Sequence, residues 1–119
     1  MFKFLSRLSQ SGGMSAQEAV EKRDRVLLLD VRDAAEIRRS GKAAGAICIP
    51  LTTLPFRADP RHPECDPLLS PEATICVYCA AGGRAASAKQ VLERLGYSDV
   101  HNIGGLGHWT RAGGQVERG

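Results

Sequence analysis

The residue types best suited to chemistry lie in one short run, Cys79-Ala-Ala-Gly-Gly-Arg84-Ala85. An apolar segment precedes it and a helical pattern begins at Arg84, which predicts a loop between a strand and a helix. Small side chains leave backbone N–H groups free to turn inward, and glycines adopt the angles that a concave loop requires. The small residues are Ala80, Ala81, Gly82, Gly83 and Ala85. We predict an anion cradle whose anion can be the Cys79 thiolate itself.

The strength of the helix dipole limits how far it alone can activate Cys79. An ordinary thiol, with a pKa near about 8.5, is only a few per cent thiolate at neutral pH. A helix N-terminus contributes about 0.3–1 kcal/mol, whereas a pKa change of one unit corresponds to about 1.36 kcal/mol. The loop N–H groups and the Arg84 charge must therefore supply the rest. We predict a nucleophilic thiolate that needs no separate general base.

The elements around this loop alternate between strand and helix patterns. Ser15-Ala-Gln-Glu18 has the form of a capping box at the start of the first helix. The predicted strands are 26–30, 46–49, 74–78 and 99–103, and the predicted helices are 15–22, 33–39, 84–95 and 106–112. We expect Gly104-Gly105 to end the last strand, and the six prolines within 50–71 to exclude long helices there. This order predicts an α/β fold with a central parallel sheet of four to five strands and helices on both faces. Ligands of such sheets bind beyond the carboxyl ends of the strands, where Cys79 falls.

Length, charge and cysteine count narrow the class of protein. The 119 residues suffice for one domain, and we predict a flexible segment over 1–13 followed by a domain over 14–117. A net charge of +3 without a basic stripe gives no reason to expect a nucleic-acid partner. We see neither a signal peptide nor an apolar stretch of about 20 residues, so we expect no membrane association and a cytoplasmic location. The four cysteines are then expected to be reduced.

Several ordered motifs resemble the rhodanese-like sulfurtransferases. Tyr78-Cys-Ala-Ala-Gly-Gly-Arg-Ala85 is similar to the active-site loop of that family. Further similar motifs are Leu29-Asp-Val-Arg32, Glu36, Gly41, Gly45-Ala46-Ile47, Leu95-Gly-Tyr97, Ile103-Gly-Gly105 and Trp109. The resemblance spans roughly 15–116 and implies a single rhodanese-like domain. It also implies that Cys79 takes a sulfur from a donor such as thiosulfate, becomes a persulfide and passes the outer sulfur to an acceptor.

The resemblance also implies partners and binding residues. Arg84 and the loop amides of residues 80–85 would hold a small anionic donor and the persulfide, and the acceptor would be a thiol, cyanide or an acceptor protein. No cofactor and no metal are implied. The chain departs from the family where Gly41-Lys-Ala-Ala-Gly-Ala46 replaces the common Gly-His-Ile-Pro-Gly-Ala, and where Ala85 replaces a frequent Ser. The proline-rich stretch 50–71 also replaces what is often a helical connection.

Three other functions remain open at this point. Cysteine phosphatases of the same fold have five residues between Cys and Arg, whereas four separate Cys79 from Arg84 here. Cys76-Val-Tyr-Cys79 is a C-x-x-C pattern and His62-x-x-Cys65 precedes it, so a metal or redox site is an alternative; a strand position would separate Cys76 and Cys79 by about 10 Å, too far for a disulfide. A non-catalytic binding module is the third.

Other candidate residues have a simpler structural interpretation. Asp30 and Arg32 are candidate supporting residues at a strand end, and a structural ion pair is the favoured role. Cys76 is expected to be a small core residue and Trp109 an anchor of the last helix. The three histidines, His62, His101 and His108, are assigned surface or packing roles.

Overall fold

The computed structural model describes residues 13–118, and a four-stranded parallel sheet forms its centre. The strands in chain order are β1 (Leu27–Asp30), β2 (Lys42–Ala43), β3 (Ile47–Cys48), β4 (Ile75–Cys79), β5 (Val100–Gly105) and β6 (Val116–Glu117). The central sheet has the order β3-β1-β4-β5, and each neighbouring pair runs parallel. The predicted α/β fold with a parallel sheet is therefore confirmed.

Helices connect these strands, and local capping explains where the first two begin. The helices are α1 (Ala16–Glu21), α2 (Ala34–Ser40), α3 (Leu54–Arg57), α4 (Gly83–Arg94) and α5 (Leu106–Arg111). The predicted capping box of Ser15 and Glu18 forms in full at α1. Asp33 and Glu36 form a second one at α2. Each box satisfies N–H groups that have no partner within the helix.

Two apolar layers bury the faces of the sheet. Helices α3 and α4 cover one face through residues such as Leu54, Ala88 and Leu92, which pack with Leu29 and Val77 of the strands. The other face packs against α1 and α5, and its buried members include Ala19, Leu28, Cys76, Tyr78 and Trp109. Trp109 is buried, as predicted. Helices on both faces are thus confirmed, and the near-continuous apolar strands follow from that coverage.

The structure differs from the sequence predictions in two places. The last strand does not end before Gly104-Gly105: β5 continues to Gly105, because a bulge accommodates the glycines without ending the strand pairing. Strands β2 and β6 form a second, antiparallel sheet that the sequence did not reveal. The proline-rich stretch agrees with the expected exclusion of long helices: it contains a 3₁₀ turn over Leu51–Thr53 and the four-residue α3, which accepts Pro55 in its first turn.

The predicted flexible segment over 1–13 falls almost entirely outside the described residues, which begin at residue 13. Within 13–118, no helix has the length and apolar character needed to cross a membrane.

Candidate active site

Cys79 is the last residue of β4, at the carboxyl end of the central strand pair. Its side chain is only 1% exposed and faces the layer that α4 covers. Residues 80–82 form the loop, and α4 begins at Gly83. The structure thus brings together Cys79 and the predicted loop between strand and helix. Access to the sulfur is narrow, so a reagent must present a small atom to it.

Gly82 shapes the cradle around the sulfur. It is the N-cap of α4 and has φ +108° and ψ −18°, a left-handed conformation that favours glycine. In this conformation its backbone N–H donates a hydrogen bond to Cys79 Sγ over 2.9 Å. The Gly82 N–H therefore contacts the sulfur directly, as expected from the small residues of the loop.

The pKa of Cys79 results from two opposing effects. Burial is the largest single influence and raises it, because the charged thiolate loses its water. Hydrogen bonds from the backbone N–H groups of Ala85, Gly82, Ala81 and Arg84 oppose burial, and together they lower the pKa below its ordinary value. Within residues 13–118, Sγ has no carboxylate or imidazole hydrogen-bond partner. The loop amides, rather than a general base, favour the thiolate.

Arg84 is held by a carboxylate of a different helix. Its Nη1 and Nη2 atoms donate to Glu36 Oε1 and Oε2 over 2.7 and 2.8 Å. This bidentate bond, followed by the Asp33 N–H bond, lowers the pKa of Glu36 to about 2. The sequence resemblance implies that Arg84 holds the sulfur donor. In this structure its guanidinium instead binds Glu36 and so connects the start of α4 to α2. Its side chain remains 38% exposed beside the site.

Asp30 and Arg32 form a buried ion pair at the end of β1. Arg32 Nε and Nη2 donate to the Asp30 carboxylate, the shorter distance being 2.7 Å. Arg32 also donates to Ser40 Oγ and to the Gly41 carbonyl, which attaches the end of α2 to the sheet. Its guanidinium carbon lies 5.9 Å from the centroid of the Tyr78 ring. These contacts agree with the structural role favoured from the sequence.

The C-x-x-C pattern does not form a compact pair of thiols. Cys76 and Cys79 lie in the same extended strand, β4, and their side chains join opposite core layers. Burial raises the pKa of Cys76 to about 12, so its thiol stays protonated. In the part of the chain described, 13–118, no group of three metal-ligating side chains is close enough to hold an ion. Cys76 is a core residue, as predicted.

Two residues of β5 contact the Cys79 loop, and the sequence analysis did not place them at the site. Asn102 donates a hydrogen bond from Nδ2 to the Gly82 carbonyl over 3.1 Å. Gly105 lies so close to the loop that an added Cβ would collide with the carbonyl oxygen of Ala80. One sequence feature could have indicated this role: Asn102 stands two residues before Gly104-Gly105, and asparagine and glycine at such spacing are typical of turns and bulges.

The histidines have more specific contacts than the sequence indicated. His108 Nδ1 accepts the Gly105 N–H over 3.0 Å at the start of α5. His101 accepts the Met14 N–H through Nδ1 and contacts Asp99 Oδ1 through Nε2. Both rings therefore fix backbone segments around β5, one at each end of the strand.

Comparison with known proteins connects this geometry to a family. The family model of the rhodanese-like domain matches residues 15–112, which include both capping boxes, the Cys79 loop and Trp109. The chain belongs to this family. One relative is the thiosulfate sulfurtransferase PspE of Escherichia coli (strain K12), 35% identical over 78 residues, a match covering 66% of this chain and 68% of PspE.

A second relative is much longer than this rhodanese-like chain. The tRNA uridine(34) hydroxylase of Protochlamydia amoebophila is 35% identical over 91 residues. That match covers 75% of this chain but only 28% of the hydroxylase.

Solved structures share the rhodanese-like fold over most of the chain. A rhodanese-related protein from Thermoplasma volcanium superimposes with a TM-score of 0.74 at 28% identity, covering 90% of this chain and 98% of that protein. A protein of unknown function from Rhodopseudomonas palustris, described as a possible tyrosine phosphatase, gives 0.79 at 30% identity, covering 95% and 90%.

Proposed function

We propose that this rhodanese-like domain is a sulfurtransferase of the thiosulfate type, acting through a persulfide on Cys79. The observation that carries the proposal is the Gly82 N–H bond to Sγ within a loop whose amides favour the thiolate. A thiolate held by backbone amides is a ready nucleophile, and the same amides can hold an anion placed at Sγ. The similarity to a thiosulfate sulfurtransferase supports this choice of donor.

The reaction follows from this arrangement in two displacements. The Cys79 thiolate attacks the outer sulfur of thiosulfate; an S–S bond forms, and sulfite leaves with the electron pair of the bond that breaks. A thiolate or cyanide then attacks the outer sulfur of the persulfide. That second S–S bond breaks, the Cys79 thiolate returns, and the acceptor leaves as a persulfide or as thiocyanate.

Burial of the thiol favours a small donor. Because Cys79 is 1% exposed, only a narrow group that reaches the sulfur end-on can react, and the terminal sulfur of thiosulfate fits that requirement. The loop side chains next to the thiol are the methyl groups of Ala80 and Ala81, both exposed, which leave the backbone amides accessible. The loop therefore combines limited access with hydrogen-bond donors for an anion.

The partners follow from this chemistry. We propose a small anionic sulfur donor, and a thiol, cyanide or an acceptor protein that takes the sulfur. All four cysteines are free thiols in the structure, and both free cysteines and thiol acceptors persist in reducing compartments. We therefore propose the cytoplasm as the location.

A mass measurement tests the proposal directly. Purified protein treated with thiosulfate is expected to gain one sulfur atom on Cys79 and to form thiocyanate when cyanide is added. The Cys79→Ser variant is expected to lose both properties, whereas Cys65→Ser, which changes a thiol in the 50–71 stretch, keeps them. Activity that survives Cys79→Ser would contradict the mechanism.

Two assays on the same purified protein separate the proposed function from a phosphatase and from a non-catalytic binding module. A phosphatase would hydrolyse an aryl phosphate at a rate comparable to thiosulfate turnover. We expect no such rate, because only four residues separate Cys79 from Arg84 and the loop is small for a tetrahedral phosphate. A non-catalytic binding module would form no persulfide at all.

A further inference from the structure

The backbone N–H and the backbone carbonyl of Gly82 are both hydrogen-bonded. On one side its N–H donates to Cys79 Sγ over 2.9 Å. On the other side its carbonyl accepts the Ala86 N–H over 3.0 Å and the Asn102 Nδ2–H over 3.1 Å. The Ala86 bond belongs to the first turn of α4, whereas the Asn102 bond comes from a different strand. Asn102 therefore links the backbone of the loop to the sheet.

The orientation of the Asn102 amide is determined by its other contact. Its Oδ1 accepts the Gly104 N–H over 2.8 Å, and an N–H group can bond only to the oxygen end of the amide. The nitrogen end must then face the Gly82 carbonyl, which needs a donor. Both ends of the side chain thus have complementary partners.

The bond to Gly104 spans a bulge in β5. Val77 lies opposite Asn102, but Cys79 lies opposite Gly105, so β5 contains one more residue than β4 between these pairs. Gly104 has φ +95°, which provides the change of direction. This extra residue brings Gly105 directly beneath the Ala80 carbonyl, where a Cβ would not fit. The bulge therefore forms the surface on which the Cys79 loop rests.

We propose that Asn102 is a positioning residue that holds Gly82 in the left-handed conformation directing its N–H at Cys79 Sγ. Asn102 acts in two ways: its Oδ1 stabilises the bulge beneath the loop, and its Nδ2 fixes the carbonyl of the glycine. It does not bond to the sulfur, so its effect is transmitted through the loop backbone. The consequence for turnover rests on the proposed sulfurtransferase function, but the effect on the thiol does not.

Two neutral variants test the proposal without adding a charge near the thiol. Asn102→Ser keeps an oxygen that can accept the Gly104 N–H, as serine does in turns, but is too short to reach the Gly82 carbonyl. Asn102→Leu has a similar size and loses both bonds. The measurement is the pH dependence of Cys79 alkylation by iodoacetamide, followed on the Cys79 peptide by mass spectrometry. We expect the pKa of Cys79 to rise by about 0.5 to 1 in both variants, since a net hydrogen bond corresponds to a change of that size.

A matched control separates positioning from general loss of stability. Asp99→Ala at the other end of β5 removes bonds to Thr74 Oγ1 and His101 Nε2, both 2.6 Å long. It is expected to lower the melting temperature while Cys79 alkylation keeps its wild-type pH dependence. Asn102 would have a merely structural role if its variants lost stability but kept that pH dependence, and this result would overturn the proposal. Because alkylation requires no sulfur donor, the result holds even if no persulfide forms.

The wild-type protein provides a second readout, which remains available if Asn102→Leu does not fold. The side-chain NH₂ resonances of Asn102 are expected to shift with pH at the same midpoint as Cys79 alkylation, and to lose this shift in Cys79→Ser. Resonances that do not respond to ionisation of Cys79 would contradict the coupling between these two residues.

Discussion

The Arg84 guanidinium is paired with both carboxylate oxygens of Glu36, which lies 48 residues earlier in the chain. Glu36 also accepts the Asp33 N–H in the capping box of α2. One carboxylate therefore stabilises the start of a helix and connects that helix to the Cys79 loop. The cation beside the thiol is largely neutralised by this pair, so the loop amides provide most of the attraction for an anion.

Replacing Glu36 is expected to lower the free energy of unfolding. Glu36→Gln removes the bidentate ion pair but can retain the contact with the Asp33 N–H. Because Arg84 is more than a third exposed, solvent screens the pair, and we expect a loss of about 1 kcal/mol in the free energy of unfolding. Urea denaturation measures this loss, with Glu93→Gln in the exposed Lys89–Glu93 pair as the control. A loss in Glu36→Gln no greater than in the control would show that the link between α2 and the loop is unimportant for stability.

The same ion pair predicts a specific dependence of stability on pH. The pKa of Glu36 is about 2 in the folded protein, below the ordinary 4.5, chiefly because of its bond to Arg84. Between these two values the unfolded carboxyl binds a proton that the folded one does not. The stability contributed by Glu36 is thus fully present above about pH 4.5 and is lost as the pH falls towards 2.

A comparison of melting temperatures tests this dependence. The difference between wild type and Glu36→Gln should be largest near neutral pH and should shrink as the pH falls through that window. A difference that stays constant down to about pH 2 would mean that the Glu36 carboxylate is not stabilised in the folded state.

The Cys79 loop was more predictable from sequence than the strand that supports it. Cys79, Gly82 and Arg84 lie within six residues of one another, so their types and spacing alone predict the loop between strand and helix. Glu36 was visible only as part of a resemblance, because its partner is distant in sequence. Asn102 and the bulge at Gly104 depend on how β5 pairs with β4, and two glycines read locally as the end of a strand. Contacts set by strand register cannot be inferred from one sequence segment alone.

Arg32 is expected to act on folding rather than on the thiol. Its side chain is buried with Asp30 and makes additional bonds to Ser40 and Gly41, which a lysine cannot reproduce. We expect Arg32→Lys to lose about 1–3 kcal/mol of unfolding free energy, since lysine keeps the charge beside Asp30 but leaves buried acceptors such as the Gly41 carbonyl without a donor. Arg39→Lys, at an exposed position of the nearby helix α2, is the matched control. A folded Arg32→Lys protein with normal stability but altered Cys79 alkylation would instead indicate a role at the candidate active site.

Gly82 and Gly83 provide a paired test of the loop itself. At Gly82, φ is +108°, so alanine there is strained by about 1–2 kcal/mol even though a Cβ has room. Gly83 has no such angle, and an added Cβ would meet no atom within 4 Å. We expect Gly82→Ala to destabilise the protein and to raise the pKa of Cys79, because relief of the strain moves its N–H away from Sγ. Gly83→Ala should keep the wild-type stability and pKa, since its backbone already has a helical conformation. Urea denaturation and the pH dependence of Cys79 alkylation measure the two effects, and equal behaviour of the variants would show that the left-handed glycine does not control the thiol.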